Sequence, residues 1–153
     1  MVEETQFCTF YLDGLFFGVE VMKVQEVIRY QEMTYVPLAP SVVRGLINLR
    51  GQIVTAIDLR RRLDLPERPE DQLPMNVVVR SEDSAVSLLV DDIGDVVEVQ
   101  EDTSERPPET LKGVARELIK KIYKFKDSLL LILDTEKAIQ IPGSKTATAE
   151  VAA

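Results

Sequence analysis

The sequence contains no histidine and no tryptophan, and its only cysteine is Cys8. Histidine is the side chain that most often acts as general acid or base near neutral pH, and it is the commonest metal ligand. Its absence therefore removes whole classes of catalytic and metal-binding chemistry. A single cysteine cannot close an intramolecular disulfide. Because Cys8 alternates with Phe10 and Leu12, we expect a small apolar core residue rather than a reactive thiol.

Long apolar segments and an excess of positive charge are also missing. The longest strongly apolar run, residues 129–133, is far shorter than the ~20 residues of a membrane-spanning helix. The first residues lack the basic and apolar segments of a secretory signal, so we expect a cytoplasmic protein. The 18 basic residues are outnumbered by 26 acidic ones, and the formal charge of -8 opposes binding to nucleic acid or to an anionic membrane surface.

Motifs of common enzyme classes are absent as well: the chain has no Gly-x-Ser-x-Gly, no glycine-rich phosphate loop and no Cys-x-x-Cys. We therefore expect no cofactor and no metal site. An enzymatic or phosphoacceptor role would rest on Asp91, Asp92, Asp95 or Asp134, whose spacing is similar to that of a response-regulator receiver. Only 19 residues follow Asp134 (153 − 134), too few to complete such a domain, so we interpret these acids as helix caps and solvating charges.

What the chain does contain is apolar sequence in strand-like segments. Its 153 residues are 45% hydrophobic, which suffices for one compact domain or two small ones. Two apolar segments, 6–12 and 15–21, are separated by an Asp-Gly pair, and this pattern predicts a β-hairpin. Val21, Val24 and Val27 then follow at a spacing of three, which predicts a short helix or helical turn.

The segment GLINLRGQIVTAIDLRRRL, residues 45–63, predicts a second hairpin. A three-residue loop of Leu49, Arg50 and Gly51 would place Gly51 in the left-handed conformation that such loops require. Leu49 and Arg50 are then exposed at the tip of the hairpin. The resulting register joins polar to polar and apolar to apolar residues: Asn48 faces Gln52, Ile47 faces Ile53, and Leu46 faces Val54.

A short helix is predicted directly after this hairpin, with Asp58 at its N-cap and Leu59 and Leu63 on its apolar side. The three consecutive arginines 60–62 have no interleaved aromatics and stand in an acidic chain. We interpret them as a solvated helix face rather than as a phosphate or nucleic-acid site. Arg50 is the better interface candidate, because a desolvated arginine at an interface centre contributes about 2 kcal/mol, against about 0.2–1 kcal/mol for an exposed ion pair.

The second half of the chain repeats the order of elements in the first half. A proline-rich acidic connector at 64–74 separates the predicted halves, 15–73 and 74–141, and each half closes best as a short β-barrel, the first completed by a terminal segment. Residues 143–153 have little to bury, and we expect them to be disordered. Val21, Val24 and Val27 recur 69 positions later as Val90, Ile93 and Val96, and Ile53, Ile57, Asp58 and Leu63 recur 76 positions later as Leu129, Leu133, Asp134 and Ile139.

Residues 45–63 closely resemble the hallmark segment of CheW-like domains, in which an Asn-Leu-Arg-Gly turn precedes an apolar strand that ends in Asp-Leu. FGVEVMKVQEVIR, LLVDDIGDVVEV and LLLILD resemble the same family in the family's order, so the resemblance covers residues 6–141. It implies a single domain of all-β class with short helices, built as two tandem SH3-like five-stranded barrels that share one interface. The chain departs from the family at Thr55 and Ala56, where Pro-Val is usual, which concerns local strand packing and partner preference.

The resemblance also implies a function in signal transduction. Members of the family couple the helical hairpin tips of chemoreceptors to the histidine kinase CheA, whose regulatory domain they bind, without catalysis of their own. It implies a cytoplasmic adaptor recruited to membrane-associated receptor arrays, in which rings with the kinase can form. Carried over by position, the receptor-binding groove comprises Cys8, Val21, Val24, Val27, Val90, Ile93 and Val97, and the partner-contact turn comprises Asn48, Leu49, Arg50 and Gly51. We place the kinase-binding surface on the first barrel, around Val42, Val43 and Leu46.

Two related functions stay open at the level of sequence. The chain is also compatible with a scaffold module of a pilus or other non-flagellar chemosensory pathway, and with an isolated regulatory domain of a CheA-type kinase. An adaptor binds receptor without any other kinase domain, and that property separates it from the last alternative.

Overall fold

The computed structural model describes residues 4–82, 84–109, 113–125 and 128–140, and the predicted disordered tail lies outside them. Within these residues, ten strands form two five-stranded sheets. The strands are β1 (Glu4–Leu12), β2 (Leu15–Glu20), β3 (Val24–Ile28), β4 (Val43–Leu49), β5 (Gln52–Asp58), β6 (Met75–Ser81), β7 (Ser84–Val90), β8 (Asp92–Gln100), β9 (Ile119–Phe125) and β10 (Ser128–Leu133). The helices are α1 (Leu59–Arg62), α2 (Gly113–Leu118) and α3 (Thr135–Ile139), with 3-10 turns at Val21–Lys23 and Glu101–Thr103.

The chain crosses between the two sheets twice, after β2 and after β7. The first has the strand order β3-β6-β7-β5-β4, and the second has the order β8-β1-β2-β10-β9. The leading hairpin of each sequence repeat, β1–β2 or β6–β7, thus joins the sheet of the other repeat, through the parallel pairs β5 with β7 and β10 with β2. The predicted halves 15–73 and 74–141 therefore do not coincide with the sheets. The order of elements repeats along the chain, but the leading hairpins of the two repeats are exchanged between the two sheets.

Each sheet closes into a barrel through one short bridge. Thr34 pairs with Leu46 of β4, with N–O distances of 2.8 and 2.9 Å in the two directions. Glu105 pairs with Ile122 of β9 in the same way, also at 2.8 and 2.9 Å. Gly45 makes the first closure possible, because a Cβ at this position would lie 2.6 Å from the Thr34 carbonyl oxygen.

The apolar core has three parts. Strand alternation sends Val78 of β6 into the first barrel, while Val77 and Val79 point towards the second sheet. Because both barrels bury apolar faces against each other, they share one interface, and the predicted class of two barrels with short helices is confirmed. The interior cluster of the first barrel comprises Ile47, Leu49, Val54, Val78 and Ala85, that of the second comprises Phe7, Tyr123, Leu130 and Ile132, and the larger inter-barrel cluster includes Phe10, Phe17, Ile57, Leu88 and Leu131.

The turn between β4 and β5 is shorter than predicted. Arg50 and Gly51 alone form the loop, and their φ angles of 51° and 90° are the positive pair that a two-residue hairpin turn requires. The predicted register was therefore wrong by one residue, and a one-residue shift moves side chains to the opposite face. Leu49 is buried in the first barrel, only 7% exposed, instead of lying exposed at the tip. The observed pairs are Leu49 with Gln52, Asn48 with Ile53, Ile47 with Val54 and Leu46 with Thr55.

Candidate functional site

The threefold valine spacing is accommodated in an edge strand by a β-bulge. The predicted helical turn is limited to the 3-10 turn Val21–Lys23, after which β3 begins. In β3, Val24 pairs with Val79 and Val27 pairs with Val77, with a register shift between them. The extra residue lets positions three apart share one face. Both valines therefore lie on the face that carries the inter-barrel cluster, and Val27 remains 37% exposed.

The edge strand of the second sheet, β8, has the same irregularity. Ile93 pairs with Phe10 and Val96 pairs with Cys8, again with a register shift between them. Phe10 belongs to the inter-barrel cluster and Ile93 packs against it, so Ile93 and Val96 share that face. Val96 is 58% exposed. We give the name valine groove to Val24 and Val27 of β3, Ile93 and Val96 of β8, and Cys8 of β1.

The other residues predicted for a receptor-binding groove lie differently. Val90 is fully buried in the inter-barrel cluster and does not line an open surface. Val97 packs against the interior cluster of the second barrel, so its neighbour Val96 occupies the place predicted for it. Val21 is half-buried in the 3-10 turn. The sequence prediction did not include Val96, although the repeat matches Val96 with Val27, and that correspondence could have identified it.

Cys8 is half-buried rather than a fully enclosed core residue. Burial raises the pKa of its thiol above the ordinary value. A raised pKa keeps the thiol protonated at neutral pH, and the thiolate is the nucleophilic form. Cys8 therefore contributes to the valine groove as a small apolar surface.

The partner-contact turn is held against β3. The Asn48 side-chain oxygen accepts a hydrogen bond from the Gly51 amide at 2.9 Å, which fixes the turn. The Arg50 guanidinium forms an ion pair with Glu26 of β3 while 74% of the Arg50 side chain stays exposed. Leu49, being buried, supports the turn from beneath. The turn and the edge strand of the valine groove are thus joined, through a residue, Glu26, that the sequence did not single out.

The predicted kinase-binding residues lie on and beside β4. Val42 and Val43 are half-buried and pack against the inter-barrel cluster. Leu46 is half-buried next to the bridge that closes the first barrel. Each side chain keeps part of its surface exposed, so the three mark a partly apolar edge of the first barrel.

The run of three arginines is structural, and the prediction of a solvated helix face was wrong for Arg60. The Arg60 side chain is only 7% exposed and forms a two-pronged ion pair with Asp91, one prong being Nε to Oδ1 at 2.9 Å. Arg68 donates from Nε to the same Oδ1, also at 2.9 Å. The Asp13 amide donates to Asp91 Oδ2 at 2.8 Å. Asp91 stands where the chain passes from β7 into β8, so this ion cluster ties the crossover to α1, the connector and the β1–β2 turn.

Protonation in this ion cluster favours the charged forms. Burial alone would raise the pKa of Asp91, but hydrogen bonds from Arg60, the Asp13 amide and Arg68 outweigh it, and the pKa lies below its ordinary value. The hydrogen bond to Asp91 likewise raises the pKa of Arg60. Asp91 and Arg60 are therefore both charged at neutral pH.

The other two arginines of the run attach α1 to its surroundings. Asp58 caps α1 as predicted, accepting from the Arg60 amide at 3.1 Å. Arg61 pairs with Glu67 at 2.9 Å and donates to the Ser41 carbonyl at 2.7 Å. Burial lowers the pKa of Arg62, whose guanidinium donates to three carbonyls at the end of α3, those of Lys137, Ala138 and Gln140, at 2.8–3.1 Å.

Two of the four acidic residues considered for catalysis, Asp91 and Asp134, have structural positions, whereas Asp92 and Asp95 are exposed. Asp91 belongs to the ion cluster, and Asp134 caps α3 by accepting from the Lys137 amide at 3.2 Å. Within the described ranges, no group of three or more cysteine or acidic side chains is arranged to hold a metal ion. Among the same residues, no helix has the length and apolar character needed to span a membrane.

Comparisons with known proteins agree with this architecture. The family model described as the CheW-like domain matches residues 6–142. A chemotaxis protein CheW of Treponema pallidum is 31% identical over 139 residues, which cover 88% of this chain and 82% of the relative. A chemotaxis protein CheW of Bacillus subtilis is 31% identical over 143 residues, covering 94% and 92%.

A solved structure shows the same fold. The crystal structure of the scaffolding protein TtCheW from Thermoanaerobacter tengcongensis superposes with a TM-score of 0.82 at 25% identity, covering 92% of this chain and 96% of that one. The family match spans most of the sequence, and the two-barrel architecture extends the likeness to three dimensions. The chain therefore belongs to the CheW-like family, a family of chemotaxis scaffold proteins.

Proposed function

We propose that this chain is a cytoplasmic adaptor that couples the helical hairpin tips of chemoreceptors to the regulatory domain of a CheA-type histidine kinase. It contributes binding free energy and no catalysis. The observation that carries the proposal is the pair of bulged edge strands. They place Val24 and Val27 of one sheet and Ile93 and Val96 of the other on the face where the two barrels meet.

The valine groove suits the apolar stripe of a helix. Val27 and Val96 are 37% and 58% exposed. Val24 and Ile93, by contrast, pack against the inter-barrel cluster. Fully burying a valine contributes about 1.5 kcal/mol, so covering these two exposed side chains and their neighbours supplies a few kcal/mol. Such a contact is reversible, as a receptor-responsive adaptor requires, and groove recognition of an amphipathic helix is a common mode.

The kinase-binding surface is proposed on the first barrel, at Val42, Val43 and Leu46 with the turn Asn48–Gly51. This assignment is supported by the exposed side chain of Arg50, which its ion pair with Glu26 holds beside β3. A helix in the valine groove would contact β3, and a kinase domain on β4 would contact the same barrel. Receptor binding can in this way bias the kinase between its states, provided that the two states differ in their affinity for the adaptor.

Val27→Asp tests the receptor assignment. The substituted carboxylate would be buried unpaired beneath the receptor helix, so we expect receptor-tip fragments to be lost in a pull-down while the kinase regulatory domain still binds. Leu73→Asp, at a residue 61% exposed in the connector, is the matched control and should retain both partners. Undiminished receptor capture by a folded Val27→Asp protein would reject the groove assignment.

A further inference from the structure

The connection between β3 and β4 carries the most exposed large apolar side chain among the described residues. Leu38 is 99% exposed and has a φ angle of 66°. It follows Pro37 in a tight turn, in which the Ala39 amide donates to the Val36 carbonyl oxygen at 3.5 Å. Proline followed by a positive φ is the arrangement of a type II turn, whose third position favours glycine or asparagine. A leucine therefore occupies a position where the backbone conformation disfavours it.

The side chain of Leu38 does not stabilise the fold. A non-glycine residue in the left-handed region lowers stability, and an almost fully exposed leucine buries no apolar surface that would offset this loss. Strained residues of this kind cluster at functional sites. Four other described non-glycine residues have a positive φ, and all of them are charged: Asp13, Arg50, Asp64 and Glu82. Leu38 is the apolar exception, and any favourable contact of its side chain must come from another molecule.

The turn that carries Leu38 is held in place on both sides. Before the turn, Thr34 exchanges two backbone hydrogen bonds with Leu46 of β4, at 2.8 and 2.9 Å. After it, the Val43 amide donates to the Pro40 carbonyl oxygen at 2.9 Å. The prolines at positions 37 and 40 fix their own φ angles and stiffen the segment further. A rigid segment loses little conformational freedom when it binds, so this turn is preorganised to present Leu38 to a partner.

The same turn adjoins the surface proposed for the kinase. The chain is paired with β4 at Thr34, and after the turn it enters β4 through Val42 and Val43. Residues 33–43 contain no charged side chain, although 29% of the whole chain is charged, and depletion of charge is typical of interface centres. Leu38 precedes Val42 by four positions, which span at most about 14 Å. One side of a standard interface covers about 800 Å², a disc of about 16 Å radius, so a domain centred on Val42 and Val43 reaches Leu38.

We propose that Leu38 inserts into an apolar socket on the regulatory domain of the kinase, next to the contacts made by Val42, Val43 and Leu46. This contact rests on the proposed function, since it presupposes that the kinase binds the first barrel at β4. It adds a residue to that surface and a property to the partner, which must offer a concave apolar site at the position of Leu38. A preorganised leucine that becomes buried there gains hydrophobic free energy without an ordering cost.

Leu38→Asn tests the contact, because asparagine removes the apolar side chain and tolerates a positive φ. Binding of the purified kinase regulatory domain to the full chain is measured by isothermal titration calorimetry. We expect Leu38→Asn to weaken binding roughly tenfold, because a leucine is no longer buried in the complex. Leu38→Met keeps an apolar side chain of similar volume and should bind within roughly threefold of the wild type. Leu73→Asn, at an exposed leucine of the connector, is the matched control and should bind as the wild type does.

Stability provides a second readout. Leu38→Asn should melt at or above the wild-type temperature, because it relieves backbone strain and removes no buried contact. A clearly lower melting temperature would show that the fold depends on Leu38 and would overturn the proposal. Undiminished kinase binding by Leu38→Asn, or binding by Leu38→Met that is as weak as that of Leu38→Asn, would also overturn it.

Arg50→Asp separates failure of the Leu38 contact from failure of the proposed function. If Arg50→Asp weakens binding of the regulatory domain and Leu38→Asn does not, the kinase surface stands and the Leu38 contact is rejected. If the wild-type chain does not bind the regulatory domain at all, both are rejected. Receptor-tip fragments should bind Leu38→Asn as they bind the wild type, and a loss confined to the receptor would reject the assignment of Leu38 to the kinase.

Discussion

Asp91→Asn is the substitution that the ion cluster makes most informative. It removes the one carboxylate shared by Arg60 and Arg68, whose side chains are 7% and 4% exposed. Leaving a buried charge without its partner costs about 3–5 kcal/mol. The amide oxygen still accepts a hydrogen bond, and Asp13 and Asp58 remain 4.0 and 3.7 Å from the two guanidiniums. We therefore expect the lower end of that range, a loss of about 3 kcal/mol in the free energy of unfolding.

Urea unfolding followed by circular dichroism measures this loss, and a thermal scan should show a melting temperature lower by about 6–12 °C, at roughly 2–4 °C per kcal/mol for a domain of this size. Asp92→Asn, at the exposed neighbouring position, should stay within about 0.5 kcal/mol of the wild type. Adding Arg68→Met to Asp91→Asn removes one of the stranded charges and should recover part of the loss. A cost below about 1 kcal/mol for Asp91→Asn would refute the argument that buried guanidiniums depend on this carboxylate.

The same substitution has a defined pH dependence. The pKa of Asp91 in the folded chain lies below 3.8, its ordinary value, because the hydrogen bonds from Arg60, the Asp13 amide and Arg68 outweigh the effect of burial. A depressed folded pKa contributes stability that is fully present above the unfolded pKa and is lost as the pH falls through the folded pKa. The stability gap between the wild type and Asp91→Asn should thus be constant from about pH 5 to 7 and shrink below about pH 4. A gap that narrowed near neutral pH would contradict this assignment.

Three further substitutions test other parts of the structure. Gly45→Ala should lower stability by about 1–3 kcal/mol, seen as a lower melting temperature, because the new Cβ would meet the Thr34 carbonyl that closes the first barrel. Arg62→Met should speed amide hydrogen exchange in α3, whose terminal carbonyls lose their donor; unchanged exchange would show that α3 is held otherwise. Arg50→Asp should reduce kinase binding in a pull-down with less than about 1 kcal/mol lost in stability, since the Arg50 side chain is 74% exposed; a larger loss would make Arg50 structural.

The strand content and the two-barrel fold could be predicted from the sequence. The spacing of the valines, however, predicted helical structure where a strand begins at Val24. Positions three apart normally indicate a helix. Val24 and Val27 instead share one face of a strand because a bulge inserts an extra residue between them. Ile93 and Val96 repeat the arrangement. A bulge has no sequence pattern of its own that distinguishes it from a helical turn, so only the pairing partners reveal which of the two applies.

The strand register and the ion pairs could not be predicted from the sequence, for a different reason. The shorter turn at Arg50 and Gly51 buries Leu49 and exposes Ile53, and alternation alone fits both registers because residues on both faces of the hairpin are apolar. The partner of Arg60 is Asp91, 31 residues away. Charge count identifies neither the pair nor its burial, whereas the capping role of Asp58 depends only on the next few residues and was predictable.

The exchanged hairpins link the groove to the barrel interface. Both groove strands begin where the chain crosses between sheets: β3 follows β2 through the turn Val21–Lys23, and β8 follows β7 through Asp91. A partner helix packed on Val27 and Val96 therefore contacts the strands that follow the two crossovers. The ion cluster ties the second crossover to α1 and the connector. Separating the barrels would expose the largest of the three apolar clusters found among the described residues. The adaptor should thus transmit binding as a rigid unit, with its partners rather than its own barrels changing their relative positions.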